Sequence, residues 1–256
     1  MVVLHMNSFE KHEIAHLSPS SCNLFVGSPA MFVLQKCLKR NFGVGPAAHR
    51  GTSVESGIAH GLMNPSASIT ECSDLALDQF RKLTALAGDH RTPKEAAAVP
   101  EMVQVGLREL RPYGPPTSLQ GAVSYEVEGL GVPLIGYYDF EWESHGVLTD
   151  LKTSFALPGA IKTNHARQVS LYKAARGDNL SARVTYVTPK KSATYQLENS
   201  REHLDALCRV ALTIQKFLST SEDPLELASM VTPDIDGSFY FNDPMARAAA
   251  YEVWGV

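Results

Sequence analysis

The sequence predicts an α/β fold in which a central mixed sheet is flanked by helices and preceded by a mainly helical N-terminal block. Three observations carry this: helical periodicity through roughly the first hundred residues, a proline-rich break at Arg111-Pro112-Tyr113-Gly114-Pro115-Pro116, and a switch beyond it to extended segments that then alternate with helices. With 256 residues, of which 44% are hydrophobic and 20% charged, the chain is long enough to bury a large core. We read 1–256 as one domain, with residues 1–111 as the helical block and 118–256 as the sheet-bearing core and its C-terminal helices.

Ser18-Pro19 and Ser28-Pro29 each set a capping residue before a proline at a first helical position, so two helices should start there. Helical pattern follows over Gly51 to Leu62, Ser68 to Ala87 and Thr92 to Leu110. After the break, strands are expected at Gln120 to Glu128, Pro133 to Glu143 and Gly146 to Thr153, separated by glycine-containing turns and forming an antiparallel meander. A helix from Pro158 to Arg176 leads to a strand at Ala182 to Thr188 and a short one at Thr194 to Leu197. Helices at Ser200 to Leu218, Asp223 to Met230 and Pro244 to Trp254 complete the chain.

Composition excludes several classes. The opening MVVLHMNSFEKHEIAH mixes acids, bases and histidines and has no apolar signal core, and no stretch approaches the roughly 18 apolar residues of a membrane span. The reading is a soluble, cytoplasmic protein. Cys22, Cys37, Cys72 and Cys208 are scattered without zinc-type spacing, which suits free, partly buried thiols. A net charge of −4 argues against a protein that coats nucleic acid, yet allows one that grips a few phosphates. Basic residues gather as Lys36, Lys39, Arg40, His49 and Arg50, and again as Lys162, Arg167, Lys173 and Arg176; each group reads equally as a solvated face or a nucleic-acid track.

Chemistry concentrates on the third strand. Residues two apart on a strand share a face, so Asp150 and Lys152 of Leu148-Thr149-Asp150-Leu151-Lys152 stand side by side while Leu151 turns to the core. A turn through Ser144-His145-Gly146 folds Asp139 of the preceding strand against Asp150. Two such carboxylates form a hard-oxygen site for Mg²⁺ or Mn²⁺, with waters and the Leu151 carbonyl to complete the shell. Phosphodiester hydrolysis uses a site of this kind because the cation polarises a phosphoryl oxygen, offsets developing charge and acidifies water, with a lysine placed to orient that water or help deprotonate it. A bare D-x-K is common as a surface ion pair, so the next helix matters. Ile161, His165, Gln168, Tyr172 and Ala175 fall on one helix face, and a stripe tipped with His, Gln and Tyr makes a poor core face unless it looks into a polar site. Gln168 and Tyr172, one turn apart, can hold a phosphate or the lysine; a core tyrosine with a satisfied hydroxyl is the plain alternative.

These residues carry a family resemblance. Gly136-Tyr137-Tyr138-Asp139, Thr149-Asp150-Leu151-Lys152-Thr153-Ser154 and the helix from His165 through Gln168 to Tyr172 resemble, in order and spacing, the G-x-x-D, D-x-K-T-S and Q-x-x-x-Y series of RecB-like nucleases of the PD-(D/E)xK superfamily. The openings at Leu17 to Phe25 and Ser28 to Phe32 resemble that family's helical start, and Phe239-Tyr240-Phe241 with the helix to Trp254-Gly255 resembles phage-borne members. The resemblance implies a restriction-endonuclease-like fold, Asp139 and Asp150 as metal ligands, Lys152 as the catalytic lysine, Gln168 and Tyr172 as its support, and Glu126 (or Glu128) and His165 as auxiliary groups.

Two departures shape the expectation. Many relatives carry a metal-binding histidine in an N-terminal helix, whereas the matching segment Arg50-Gly51-Thr52-Ser53-Val54-Glu55 presents Glu55, as the phage lambda exonuclease-like branch does. A solvated Glu55 paired with Arg50 is the plain alternative, and His49 and His60 are fallback ligands. A C-terminal cysteine cluster is also missing, so no iron–sulfur cluster is expected. The resemblance implies a Mg²⁺- or Mn²⁺-dependent DNA exonuclease serving recombination, repair or phage DNA processing in a bacterium or phage-infected cell. An endonuclease and an inactive DNA-binding scaffold on the same fold are the rivals. Beyond DNA, a recombination or single-strand-binding partner and self-association stay open, and no membrane association is expected.

Overall fold

The computed structural model describes residues 7–177 and 179–255. In chain order the helices are α1 (Ser8–Lys11), α2 (Pro19–Gly27), α3 (Pro29–Phe32), α4 (Pro46–Met63), α5 (Ile69–Thr84), α6 (Thr92–Leu110), α7 (Thr163–Arg176), α8 (Ser200–Leu218), α9 (Pro224–Ser229) and α10 (Pro244–Trp254). The strands are β1 (Ser118–Tyr125), β2 (Leu134–Trp142), β3 (Val147–Thr153), β4 (Ser181–Val187) and β5 (Ser192–Gln196). Side-chain caps start many of the helices: Ser18 accepts from the Ser21 N–H, Ser28 from Met31, Ser68 from Glu71 and Asp243 from Met245 and Ala246. Proline follows the cap at α2, α3 and α10 because it needs no N–H there.

The chain divides into two compact units. The described part of the first comprises residues 7–43, 124–136 and 201–255. Within it, α8 buries Leu204, Leu207, Ala211, Ile214 and Leu218, a helical stripe of alternating three- and four-residue spacing. The ring of Phe25 packs edge-on against Phe32 and tilts against Phe217, with centroids 5.2 Å and 5.6 Å away. Leu17 adds a single parallel bridge to Leu134.

The second unit comprises the described residues of 44–123 and 137–200. The sheet has the order β1-β2-β3-β4-β5, with β2–β3 and β4–β5 antiparallel and β3–β4 parallel. A mixed sheet flanked by helices, the restriction-endonuclease-like arrangement, is therefore the fold. The parallel pair needs a crossover, and α7 supplies it. One large core joins Val54, Ile58 and Leu62 of α4 to Phe80 of α5, Met102 and Leu107 of α6, and Phe140, Trp142 and Leu151 of the sheet.

Some boundaries differ from the sequence expectation. β1 ends at Tyr125, so Glu126 and Glu128 lie beyond the strand and are exposed. The helix expected from Pro158 begins at Thr163. Its upstream backbone is taken by tyrosines of the sheet: Tyr195 Oη donates to the Pro158 carbonyl at 2.8 Å, and the Lys162 N–H donates to Tyr186 Oη at 3.1 Å. Ile161 thus lies outside the helix whose stripe it was expected to join.

Close approach in the α4–α5–α6 block rests on glycine. A Cβ on Gly57 would stand 2.7 Å from the Cys72 carbonyl oxygen and 2.8 Å from the Ala76 Cβ. One on Gly61 would meet the Cys72 sulfur at 2.8 Å. Helix propensity alone favours alanine over glycine by about 1 kcal/mol, but here the added methyl collides with a backbone carbonyl. Gly57→Ala should therefore destabilise the protein by about 1–3 kcal/mol, the usual cost of overpacking; urea unfolding checks this, and a stabilised variant would contradict the packing described.

Candidate active site

The β2–β3 ladder pairs Trp142 with Val147, Glu141 with Leu148 and Phe140 with Thr149. The next residue on each strand is Asp139 and Asp150. Here the Asp139 carboxylate accepts the Leu151 N–H through Oδ2 at 2.6 Å. A side chain is thereby bonded to a main-chain donor of the next strand, which fixes Asp139 beside Asp150.

Asp150 is only 1% exposed. The Lys152 ammonium lies 2.8 Å from Asp150 Oδ2. Among the described residues no donor other than this ammonium engages that buried oxygen. Burial, then the charges of Asp150 and Glu55, raise Asp139 well above the ordinary carboxylate range. Burial raises Asp150 too, against the opposing pull of Lys152. For Lys152, burial works against the ammonium, but Asp150, Asp139 and Glu55 together raise it above the usual lysine value. These directions describe a negative pocket with too little positive charge inside it.

Glu55 enters from α4. Its Oε1 accepts from the Gln120 side-chain amide at 2.9 Å. Burial raises it above the ordinary glutamate value, as does the charge of Asp150, so the two carboxylates lie within each other's field. Arg50 does not pair with Glu55. It is buried, forms an ion pair with Glu95 of α6, and its Nη2 donates to the Thr153 carbonyl at 3.2 Å. Arg50 thus ties the end of β3 to two helices and leaves the basic cluster in which the sequence set it.

On α7, Gln168 Nε2 donates to Tyr172 Oη at 2.6 Å, and the Tyr172 ring lies edge-on to Tyr138, with centroids 6.4 Å apart. Burial pushes the Tyr172 hydroxyl far above its ordinary value, so it stays protonated. His165 Nδ1 lies 2.7 Å from Tyr186 Oη. Burial, followed by the charges of Lys152 and Lys162, lowers His165 to about 4, so it is neutral near neutral pH. Tyr186 is the β4 partner of Lys152 in the ladder.

The structure therefore gathers Glu55, Asp139, Asp150, Leu151 and Lys152, with Gln168, Tyr172 and His165 on the neighbouring helix. His60 pairs instead with Glu71 at 3.3 Å. Glu126 lies in an exposed loop after β1. In the second basic group, Arg176 pairs with Glu141 at 2.9 Å. Sequence reasoning missed Gln120, Tyr138, Tyr186 and the Arg50–Glu95 pair. Of these only Tyr186, in the alternating run Val184-Thr185-Tyr186, carried a readable signal, since a period of two sets it on the face of Val184.

A family model described as the PD-(D/E)XK nuclease superfamily matches residues 16–234. The chain belongs to the PD-(D/E)XK nuclease superfamily. Membership implies a nuclease, a hydrolase of phosphodiester bonds in DNA that works with divalent metal ions. The (D/E)XK of the superfamily's name occurs here as Asp150-Leu151-Lys152. Among solved structures, that of SSO0001 is similar at a TM-score of 0.34 and 14% identity, covering 75% of this chain and 89% of that one. No curated protein matches the chain. No helix among the described residues is long and apolar enough to cross a membrane.

For a PD-(D/E)XK nuclease, a divalent cation fits the residues present in chemistry if not in a finished shell. Among the described residues no three acidic, histidine or cysteine side chains converge closely enough to hold an ion unaided. Yet the donors are hard oxygens, the buried Asp150 Oδ2 is engaged by no donor but the Lys152 ammonium among the described residues, and three carboxylates repel one another. Without a cation this repulsion costs stability. Because the folded state holds protons on Asp139 and Asp150 more tightly than the unfolded chain does, stability in EDTA should fall as pH rises from about 4 through the raised values. Asp139→Asn, which retains an acceptor for the Leu151 N–H, should flatten that decline; an unchanged stability–pH curve from chemical denaturation would contradict the electrostatics described.

Proposed function

We propose that this chain is a Mg²⁺-dependent DNA exonuclease of the RecB-like, lambda exonuclease-like branch. Asp139, Asp150 and Glu55 would hold the cation, together with the Leu151 carbonyl. The observation that carries the reading is Asp139 bonded to the Leu151 N–H, with the Lys152 ammonium 2.8 Å from Asp150. The motif series Gly136-x-x-Asp139, Asp150-x-Lys152-Thr-Ser and Gln168-x-x-x-Tyr172 supports the branch and, with it, a role in recombination, repair or phage DNA processing.

When bound, the cation polarises the scissile phosphate and supplies positive charge to the transition state. The chain's own residues do the rest. Lys152 faces the site as a cation, able to orient the attacking water and stabilise charge on the phosphate. Leu151, packed in the core, fixes the strand so that Asp150 and Lys152 cannot drift apart. Gln168 and Tyr172 line the helix side, where a neutral His165 adds no charge to compete with Lys152.

Asp150→Ala and Lys152→Ala should each abolish cleavage of end-labelled linear DNA. Calorimetry should show that Asp150→Ala also loses divalent-cation affinity while Lys152→Ala keeps it. Near-wild-type activity in either variant would sink the assignment. Linear DNA should be degraded from its ends and covalently closed circles spared; cutting of circles would make the enzyme an endonuclease.

We also propose that the enzyme carries no iron–sulfur cluster. Cys22, Cys37, Cys72 and Cys208 are scattered along the chain and do not form the C-terminal cysteine cluster that such a centre needs. The protein should be purified colourless, stay active after treatment with an iron-selective chelator, lose activity in EDTA and regain it with Mg²⁺. An absorbance band near 400 nm, about where four-thiolate clusters absorb, would overturn this.

A further inference from the structure

Gln120 lies on β1 with φ of 47°, a left-handed conformation that glycine or asparagine adopts readily and glutamine rarely does. The strand is pinned around it. On one side Ser118 Oγ accepts from Tyr138 Oη at 3.2 Å. On the other, Gly121 lies so tightly on the Tyr138 ring that a Cβ would stand 2.0 Å from Cζ. Tyr138 is itself held edge-on by Tyr172. What the unusual backbone achieves is visible at the other end of the side chain, where the amide reaches Glu55 at 2.9 Å, 65 residues away in sequence. Strain of this kind persists where the surroundings over-determine it, and its use is sought at functional sites.

We propose that Gln120 is a positioning residue for the metal site, its amide fixing the Glu55 carboxylate toward Asp150 and Lys152. The inference rests on the reading of Asp139, Asp150 and Glu55 as cation ligands. A purely structural residue at this position would be improved by glycine, which accepts the left-handed backbone without cost. Only the amide would be lost. The two roles therefore predict opposite results for one substitution.

In the full-length protein, Gln120→Gly should melt in EDTA at or above the wild-type temperature. Its Mn²⁺ affinity by calorimetry should nonetheless fall about ten- to a hundredfold, the range typical of lost outer-shell support. The Mg²⁺ concentration for half-maximal activity should rise in parallel, while kcat recovers at saturating Mg²⁺. Gln120→Asn, which keeps the amide on a shorter arm, should lie between the two, and carries the test should the glycine variant fold poorly. Mn²⁺ binding by Gln120→Gly equal to wild type, with Asp150→Ala losing it, would overturn the positioning role alone. Wild-type Mn²⁺ binding by Asp150→Ala would overturn the ligand reading and this inference with it.

Discussion

Asp150 is buried with the half-buried Asp139 beside it, and much of the second unit can be read as the means of holding them there. Burial and mutual repulsion both oppose charge on the pair. A chain free to relax would part them. It does not part them because Asp139 is bonded to the Leu151 N–H, while Leu151 itself is locked into the core between the sheet and α4, α5 and α6. Moving either carboxylate would mean unpacking that core, at roughly 1.5–3 kcal/mol for each large apolar side chain exposed.

The same logic explains where the unit spends its other polar contacts. The buried Arg50–Glu95 pair is weak evidence for stability, since desolvation offsets much of its attraction. Its placement matters more. Arg50 also donates to Thr153, the residue after Lys152, so the pair fixes where β3 ends relative to α4 and α6. Gly57 and Gly61 serve the same end by letting those helices lie close enough for α4 to present Glu55.

How much of this was legible in sequence follows from the range of the interactions. The alternation of Leu148, Asp150 and Lys152 against Thr149, Leu151 and Thr153 is local, and it predicted both the strand and the face on which the acidic and basic groups meet. The start of α2 was legible for the same reason, since Ser18 caps a helix three residues away. Gln120 was not legible: its importance lies in a bond across 65 residues and a φ that no propensity favours for glutamine. Arg50 was misassigned for a related reason, because sequence shows neighbours in the chain, and its partner Glu95 is 45 residues away. The helix start at Thr163 slipped because Tyr186 and Tyr195, distant in sequence, capture the backbone that a helix from Pro158 would use.

The proposed activity and the stability of the fold therefore pull on the same residues in opposite directions. An unligated set of Glu55, Asp139 and Asp150 is destabilising, and the left-handed Gln120 adds strain. Both sit in the unit whose core is otherwise filled by apolar side chains and glycine-mediated contacts. The division suits a site that recruits a dication: pre-assembled negative charge is a cost to the metal-free fold and a source of binding free energy once the cation arrives. The core supplies the surplus that lets the site remain assembled in between.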